Sequence, residues 1–238
     1  MTEEAVTDKD SAVTRRQFLK KSGLALMLLL LSRELLKLEA VAAAGHFPLT
    51  LAALKDAYDT EMEAHHNYVA FSKKADSEKY HNIAYLFTAF AISEKIHADN
   101  FSKCFVELDK AAPVWKGLEV NVATTKKNIR RAAKHELQLI DYKYPELLKH
   151  LQHENYEKAL RYCKYALESH QQHREHISQI VKYSGIFFRF LVREFEKNPV
   201  DYFVCLYCGS TVIEVPLYSC SICSEPVSWY RKIPKKRG

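Results

Sequence analysis

Four cysteines near the C-terminal end are spaced Cys205-x2-Cys208-x11-Cys220-x2-Cys223, the layout of a two-knuckle metal site. Each Cys-x-x-Cys pair can put two thiolates on one tight turn, and two such turns facing each other make a tetrahedral cage of four sulfurs. The competing reading is two structural disulfides, or cysteines that only pack. Two correctly spaced pairs rarely coincide by chance, which favours the cage. Such a cage holds redox-active iron and inert zinc equally well, so the spacing leaves the metal open.

A second set of chemical groups is distributed through the helical part of the chain. Glu94-Lys95-Ile96-His97 places a carboxylate and an imidazole three residues apart, on one helical face, where both can grip one metal. Glu61 lies seven residues before Tyr68, two turns along one stripe, and Glu136 precedes Tyr144 by eight residues. His170-Gln171-Gln172-His173 sets two imidazoles one turn apart. A single Glu-x-x-His is weak, since a surface ion pair gives the same spacing. Four inward-capable groups in order, each at mid-helix, point to a metal site. His65, His66, His135 and His176 are candidates for outer ligands, with solvent-facing histidine as the plainer reading.

These groups need long helices to bring them together. The chain has 238 residues, 47% of them hydrophobic, with only 6 Gly and 7 Pro, a composition that favours helices over many turns. Apolar residues Leu51, Leu54, Tyr58, Met62, Tyr68 and Phe71 predict a helix over 49–74. A short break at Ala75–Glu78 predicts an antiparallel second helix over about 78–108. Residues 109–121, with Pro113 and Gly117, read as a longer crossover. A third helix is expected over about 122–151, kinked by Pro145, and a fourth from about 155 to 184. Gly185–Lys197 either continues it or folds back as a short fifth helix. Two hairpins joined by one long crossover make a ferritin-like four-helix bundle. The expected fold is thus mainly α, with boundaries at 48–198 for the bundle, 199–232 for a small four-cysteine β domain and 233–238 for a basic tail.

Here the chain resembles rubrerythrin, a family in which a ferritin-like di-iron bundle is followed by a rubredoxin-like domain. The resemblance covers about residues 48–232. It rests on Ala57-Tyr58 to Phe71 around Glu61, on Tyr80-His81-Asn82-Ile83-Ala84 through Glu94 and His97, on Tyr144-Pro145-Glu146, and on Phe203-Val204-Cys205-Leu206-Tyr207-Cys208-Gly209. It implies that Glu61, Glu94, His97 and Glu136 are iron ligands, that Tyr68 and Tyr144 hydrogen-bond those ligands, and that His173 is the fourth-helix ligand. It also implies a homodimer in which one rubredoxin-like domain lies near the other subunit's di-iron site.

Two positions depart from the family pattern. A second third-helix Glu is replaced by Leu139, and the fourth-helix Glu-x-x-His is His170-x-x-His173. A carboxylate has two oxygens and bridges two ions, whereas a neutral imidazole offers one lone pair and does not. The expectation is a histidine-rich site, with His170 as a ligand, holding one or two iron ions. The second knuckle also differs, with Ser224 where the family usually has glycine, which supplies positive φ near the sulfurs.

Thr14-Arg15-Arg16-Gln17-Phe18-Leu19-Lys20 resembles the twin-arginine export signal of bacteria, and the apolar run 23–31 that follows is too short to span a bilayer. Residues 1–47 are read as this signal and a linker, cleaved near Ala42-Ala43-Ala44 or retained as a membrane anchor, with a periplasmic or envelope location. The net charge of +6 comes mostly from a basic tail, Arg231, Lys232, Lys235, Lys236 and Arg237, and no interleaved basic and aromatic repeats suggest nucleic-acid binding. Cys104 and Cys163 fall in helical patterns and read as buried thiols. Two functions follow. One is a non-haem iron oxidoreductase, NADH-peroxidase-like, that passes electrons from iron in the cysteine cage to the bundle site and reduces hydrogen peroxide, served by an electron-donor protein. Glu94, His97, Tyr68 and Tyr144 would be its catalytic residues. The other is a non-catalytic envelope metal-binding protein, with iron or zinc in the cage.

Overall fold

The computed structural model describes residues 47–117, 119–181 and 188–235. The proposed export signal, the segment 182–187 and the last three residues lie outside them. Helix α1 (Pro48–Ser77) and helix α2 (His81–Glu107) form the first hairpin. After the crossover come α3 (Thr125–Gln138), a π-helical turn (Leu139–Lys143) and α4 (Tyr144–Glu154), which together make the third long rod. Helix α5 (Glu157–Val181) completes the bundle, and α6 (Phe188–Lys197) is the short fifth helix, packed against α5 and α2.

The first break falls at 78–80, later than the polar run suggested, and its chemistry explains why. Lys79 takes a left-handed φ of 64°, and its N–H and that of Tyr80 donate back to Asp76 O and Ala75 O, each at 2.9 Å. This is the glycine-type helix stop carried out by lysine. Asp109 (φ 56°) ends α2 in the same way.

None of the residues preceding α1, α2 or α3 caps its helix with its own side chain. Carboxylates from other elements do it instead. Glu154 accepts from the N–H groups of Leu49 and Thr50 at 3.1 and 2.7 Å. Glu196 of α6 accepts from Asn82 and Ile83, and Glu78 accepts from Thr125 at 2.9 Å. Each places negative charge on the positive end of a helix dipole and satisfies orphan donors. Helix α6 therefore ties the end of the bundle to the start of α2.

Pro145 follows directly on a π-helical turn. The preceding π turn, in which the Tyr144 N–H reaches back to Leu139 O, has already opened the ladder where proline lacks a donor. The same turn aligns the site. Eight residues of α-helix would leave Tyr144 about 80° around from Glu136, but the extra residue in the π turn brings it back to roughly the seven-residue position.

The core splits into two apolar halves. One gathers Tyr68, Phe71, Phe87, Phe90, Ile129 and Ile177; the other gathers Leu54, Phe101, Leu139, Tyr144, Leu147 and Leu151. Cys104 and Cys163 are buried free thiols in the second half, as the helical pattern suggested. Between the halves lies a layer of buried carboxylates and imidazoles.

The C-terminal part is a three-stranded antiparallel sheet in the order β2-β1-β3, with β1 Phe203–Cys205, β2 Thr211–Val212 and β3 Tyr230–Lys232. Its two knuckles match. Gly209 N–H donates to Cys205 O at 2.8 Å, and Ser224 N–H to Cys220 O at 2.9 Å. Both residues have positive φ, 85° and 62°, so Ser224 adopts the glycine conformation without being glycine. The tail is less free than its charge suggested. Lys232 and Lys235 pair with Asp201, and Ile233 is buried with its carbonyl accepting from Tyr85. A side chain in the left-handed region costs about 1 kcal/mol. Ser224→Gly is therefore expected to raise stability by a few tenths to about 1 kcal/mol in chemical denaturation, with no change if the knuckle is unstrained.

Candidate metal centre

Each rod of the bundle sends its groups into the polar layer. Helix α1 supplies Glu61, α2 supplies Glu94 and His97, α3 supplies Glu136, and α5 supplies His170 and His173. All six are between 0 and 2% exposed. Their donor atoms form two clusters that share members. One contains Glu61, Glu94, His97 and His170, and the other Glu94, Glu136, His170 and His173; within each the atoms lie within 4.8 Å of one another. The six residues the sequence nominated thus meet at one place.

The atoms fall into two similar halves. His97 Nδ1 is 2.9 Å from Glu94 Oε2 and 3.3 Å from Glu61 Oε2. On the other side, His173 Nδ1 is 3.1 Å from Glu94 Oε1 and 3.6 Å from Glu136 Oε1. Tyr144 donates its hydroxyl to Glu61 Oε1, and Tyr68 donates its own to Glu136 Oε1. Glu94 and His170 belong to both halves. The two tyrosines, from opposite apolar halves of the core, seal the layer at both faces.

The donor set suits cations. His173 Nδ1 and Glu94 Oε1 are 3.1 Å apart, yet neither has a hydrogen-bond partner. Buried polar atoms seldom go unpaired. Two such atoms side by side can both be satisfied by one shared cation, as metal ligands are. Charge agrees with geometry. Burial pushes the Glu61 and Glu136 carboxyls up, but neighbouring His170, with His97 or His173, outweighs it and holds both well below the usual carboxylate range. Burial lowers the imidazoles, but Glu94 and the other carboxylates lift His170 well above its ordinary value and His173 to about 9. Tyr68 and Tyr144 are pushed well above the ordinary phenol value, by burial first and then by the carboxylates beside them, and so keep their protons.

The four cysteines are also brought together. Cys205 Sγ is 3.9 Å from Cys223 Sγ, and Cys208 Sγ is 3.6 Å from Cys220 Sγ. A sulfur tetrahedron with metal–sulfur bonds of about 2.3 Å has edges of about 3.8 Å, so the thiols are spaced for an ion, and too far apart for disulfides. Tyr230 donates to Cys220 Sγ at 3.2 Å.

The cage is docked directly over the bundle site of its own chain. The Gly209 carbonyl accepts from Ser93 at 2.6 Å and Ser169 at 3.0 Å, and Asn100 donates to Tyr207 O at 2.8 Å. A methyl on Gly209 would overlap His97 Nε2. His173 Nε2 lies 3.3 Å from Thr211 Oγ1, and Gln172 accepts from Thr211 N–H. Within this chain the knuckle lies against its own bundle site. Sequence reasoning did not find Ser93, Ser169, Asn100 or Thr211. Their only signal is their placement beside ligands on α2 and α5, or beside Cys208. Of the extra histidines, His65 bonds Ala91 O, His66 stacks on Trp115 and His176 contacts Thr211 O, so none of these three is simply solvent-facing.

The bundle with its interior carboxylate–histidine layer and appended four-cysteine knuckle defines a ferritin-like protein joined to a rubredoxin-like one. The sequence matches the model of the rubrerythrin family over residues 52–181, and the chain belongs to that family. It is 29% identical to rubrerythrin-2 of Clostridium acetobutylicum over 175 residues, 74% of this chain and 91% of that protein. Rubrerythrin-1 of the same organism is 27% identical over 166 residues, 67% of this chain and 81% of that protein. A mixed-valent nigerythrin structure superposes with a TM-score of 0.64 at 25% identity, covering 77% of this chain and 86% of that one. A bacterioferritin from Desulfovibrio desulfuricans, at 20% identity and a TM-score of 0.59 over 67% of this chain and 92% of its own, shares the fold. Family and paired ligand clusters together support a di-iron oxidoreductase type of function.

The charge network has a pH signature. A histidine whose folded value is raised contributes stability that is complete below its ordinary 6.5 and is lost as pH climbs through about 9 for His173. Metal ligation needs neutral imidazole and so strengthens over the same interval. The Tm of metal-free protein should fall by several degrees between about pH 6.5 and 9.5, while zinc-loaded protein holds or gains. Calorimetry showing the same trend for both would contradict the ligand assignment.

Proposed function

We propose that this chain is a peroxide-reducing non-haem iron protein. In this reading Glu61, Glu94, His97, Glu136, His170 and His173 hold iron in the bundle, and Cys205, Cys208, Cys220 and Cys223 hold the iron that feeds it electrons. The observation that carries the reading is the contact of the Gly209 knuckle with His97, because it sets the sulfur cage beside a ligand of the bundle site. Iron supplies the reversible one-electron steps in both places.

The protein's own groups then have definite tasks. Reduction of hydrogen peroxide to two waters takes two electrons and two protons. Tyr68 and Tyr144 hold protons at Glu136 and Glu61 within a layer closed to bulk water. Glu94 and His97 orient what binds beside them, and the apolar halves of the core exclude larger substrates. An electron-donor protein is required to re-reduce the cage. A second reading, a metal-storage protein of the envelope, draws on Leu139 and His170, which remove carboxylates that the family resemblance places there.

Aerobic iron-loaded protein should carry the red colour of a four-sulfur ferric site, and peroxide consumption with a reductant should vanish in Glu94→Ala. Gly209→Ala should leave both sites filled and slow electron arrival at the bundle at least tenfold. A colourless zinc-filled cage, or full turnover in Glu94→Ala, would support storage instead. The twin-arginine-like segment favours the cell envelope as the place of this chemistry; replacing Arg15 and Arg16 by lysine should strand the protein in the cytoplasm, and unchanged fractionation would sink that location.

A further inference from the structure

We propose that His170 bridges two metal ions, each of its ring nitrogens binding one of them. The inference rests on the reading of the polar layer as a metal centre and specifies how that centre is built.

His170 belongs to both ligand clusters, and its two ring nitrogens lie against different carboxylates. Its Nδ1 lies 2.9 Å from Glu136 Oε2 and 3.8 Å from Glu94 Oε1, on the side of His173. Its Nε2 lies 3.2 Å from Glu61 Oε1, on the side of His97. The ring is held edge-on between the two halves, with Tyr144, His97 and His173 centred 5.0, 5.4 and 5.7 Å away. Glu94 divides its oxygens in the same sense, Oε2 towards His97 and Oε1 towards His173. Two shared residues and one private Glu–His pair on each side give both halves the same four-member set.

Removing His170 from either set would leave three donors there. Charge leads to the same arrangement. Three carboxylates leave one positive charge uncompensated against two divalent ions in a fully buried layer, and uncompensated buried charge is costly. A ring that binds an ion at each nitrogen has released its N–H proton to solvent and carries the missing negative charge. A neutral imidazole cannot bridge, but this ring faces a cation site at both nitrogens, and the anionic form has two lone pairs. The bridge is also longer than a carboxylate one. Two metal–nitrogen bonds of about 2.0–2.1 Å plus the width of the ring place the ions near 6 Å apart, against about 3.5–4 Å in ordinary two-metal sites.

The test is a crystal structure of the full chain loaded with zinc, with ions located by anomalous scattering, alongside metal analysis of the same protein. The expected result is three ions per chain, two of them flanking the His170 ring at roughly 6 Å and the third in the cysteine cage. A single bundle ion, or two within about 4 Å with His170 touching only one, would overturn the bridge while leaving the metal centre intact. No bundle ion at all would overturn both. His170→Glu should keep both bundle ions and shorten their separation to about 3.5–4 Å, and an unchanged separation would also count against the bridge. Should that variant fail to fold, the wild-type crystal alone decides.

Discussion

The fold depends on keeping three carboxylates and three imidazoles out of water at mid-bundle. Isolated charges in such a place are prohibitive, and even a mutually neutralised cluster gains little over apolar packing. The sequence surrounds the layer with tight closures. Tyr68 and Tyr144 each turn an aromatic body to one apolar half and a hydroxyl to a carboxylate. Phe90 stacks on the His173 ring at 4.1 Å, fixing a ligand by packing as well as by charge. Cations bound there would supply the compensation that protonated histidines otherwise provide, which would link metal occupancy to folding stability.

Docking of the cysteine knuckle follows from the same crowding. It approaches where α2 and α5 present serines, Ser93 and Ser169, and its own residue there is glycine. Small side chains on both sides let backbone come against the ligand helix, and the Gly209 carbonyl takes two hydroxyl donors as it does so. A larger residue at any of the three positions would push the sulfur cage away from His97. The sheet is therefore less an appendage than a lid on the polar layer, fastened by Asn100 and Gln172.

Much of this was legible in the chain, for identifiable reasons. Paired Cys-x-x-Cys and Glu94-x-x-His97 are local spacings, and local spacing fixes which side chains share a turn or a face. Helix existence followed from apolar periodicity, while ends did not. With so few glycines the stops fall on Lys79 and Asp109, and the starts are capped by Glu154, Glu196 and Glu78 from distant elements. Eight-residue spacing between Glu136 and Tyr144 suggested a shared face, although an unbroken α-helix would not provide one. The π turn that provides it has no simple sequence mark apart from Pro145. Which nitrogen of His170 faces which carboxylate is a matter of three helices meeting, invisible to any pattern along one of them.

The two departures from the family pattern act on the same quantity, the carboxylate charge of the polar layer. Leu139 lies at the start of the π turn and packs with Tyr144, Leu147 and the second apolar half, 3% exposed. A carboxylate there would have to be drawn into the polar layer by cations or be stranded in hydrocarbon. Its absence lowers the negative charge available to two ions. A glutamate at position 170 would return one charge and one bridge, and a histidine would return neither as neutral imidazole. With an ion at each ring nitrogen, as proposed, His170 would gain an acidity that a lone histidine lacks, because two Lewis acids would share the anion. The replacement of carboxylate by imidazole would then change the separation of the ions and the strength of their coupling more than it changes the charge of the layer.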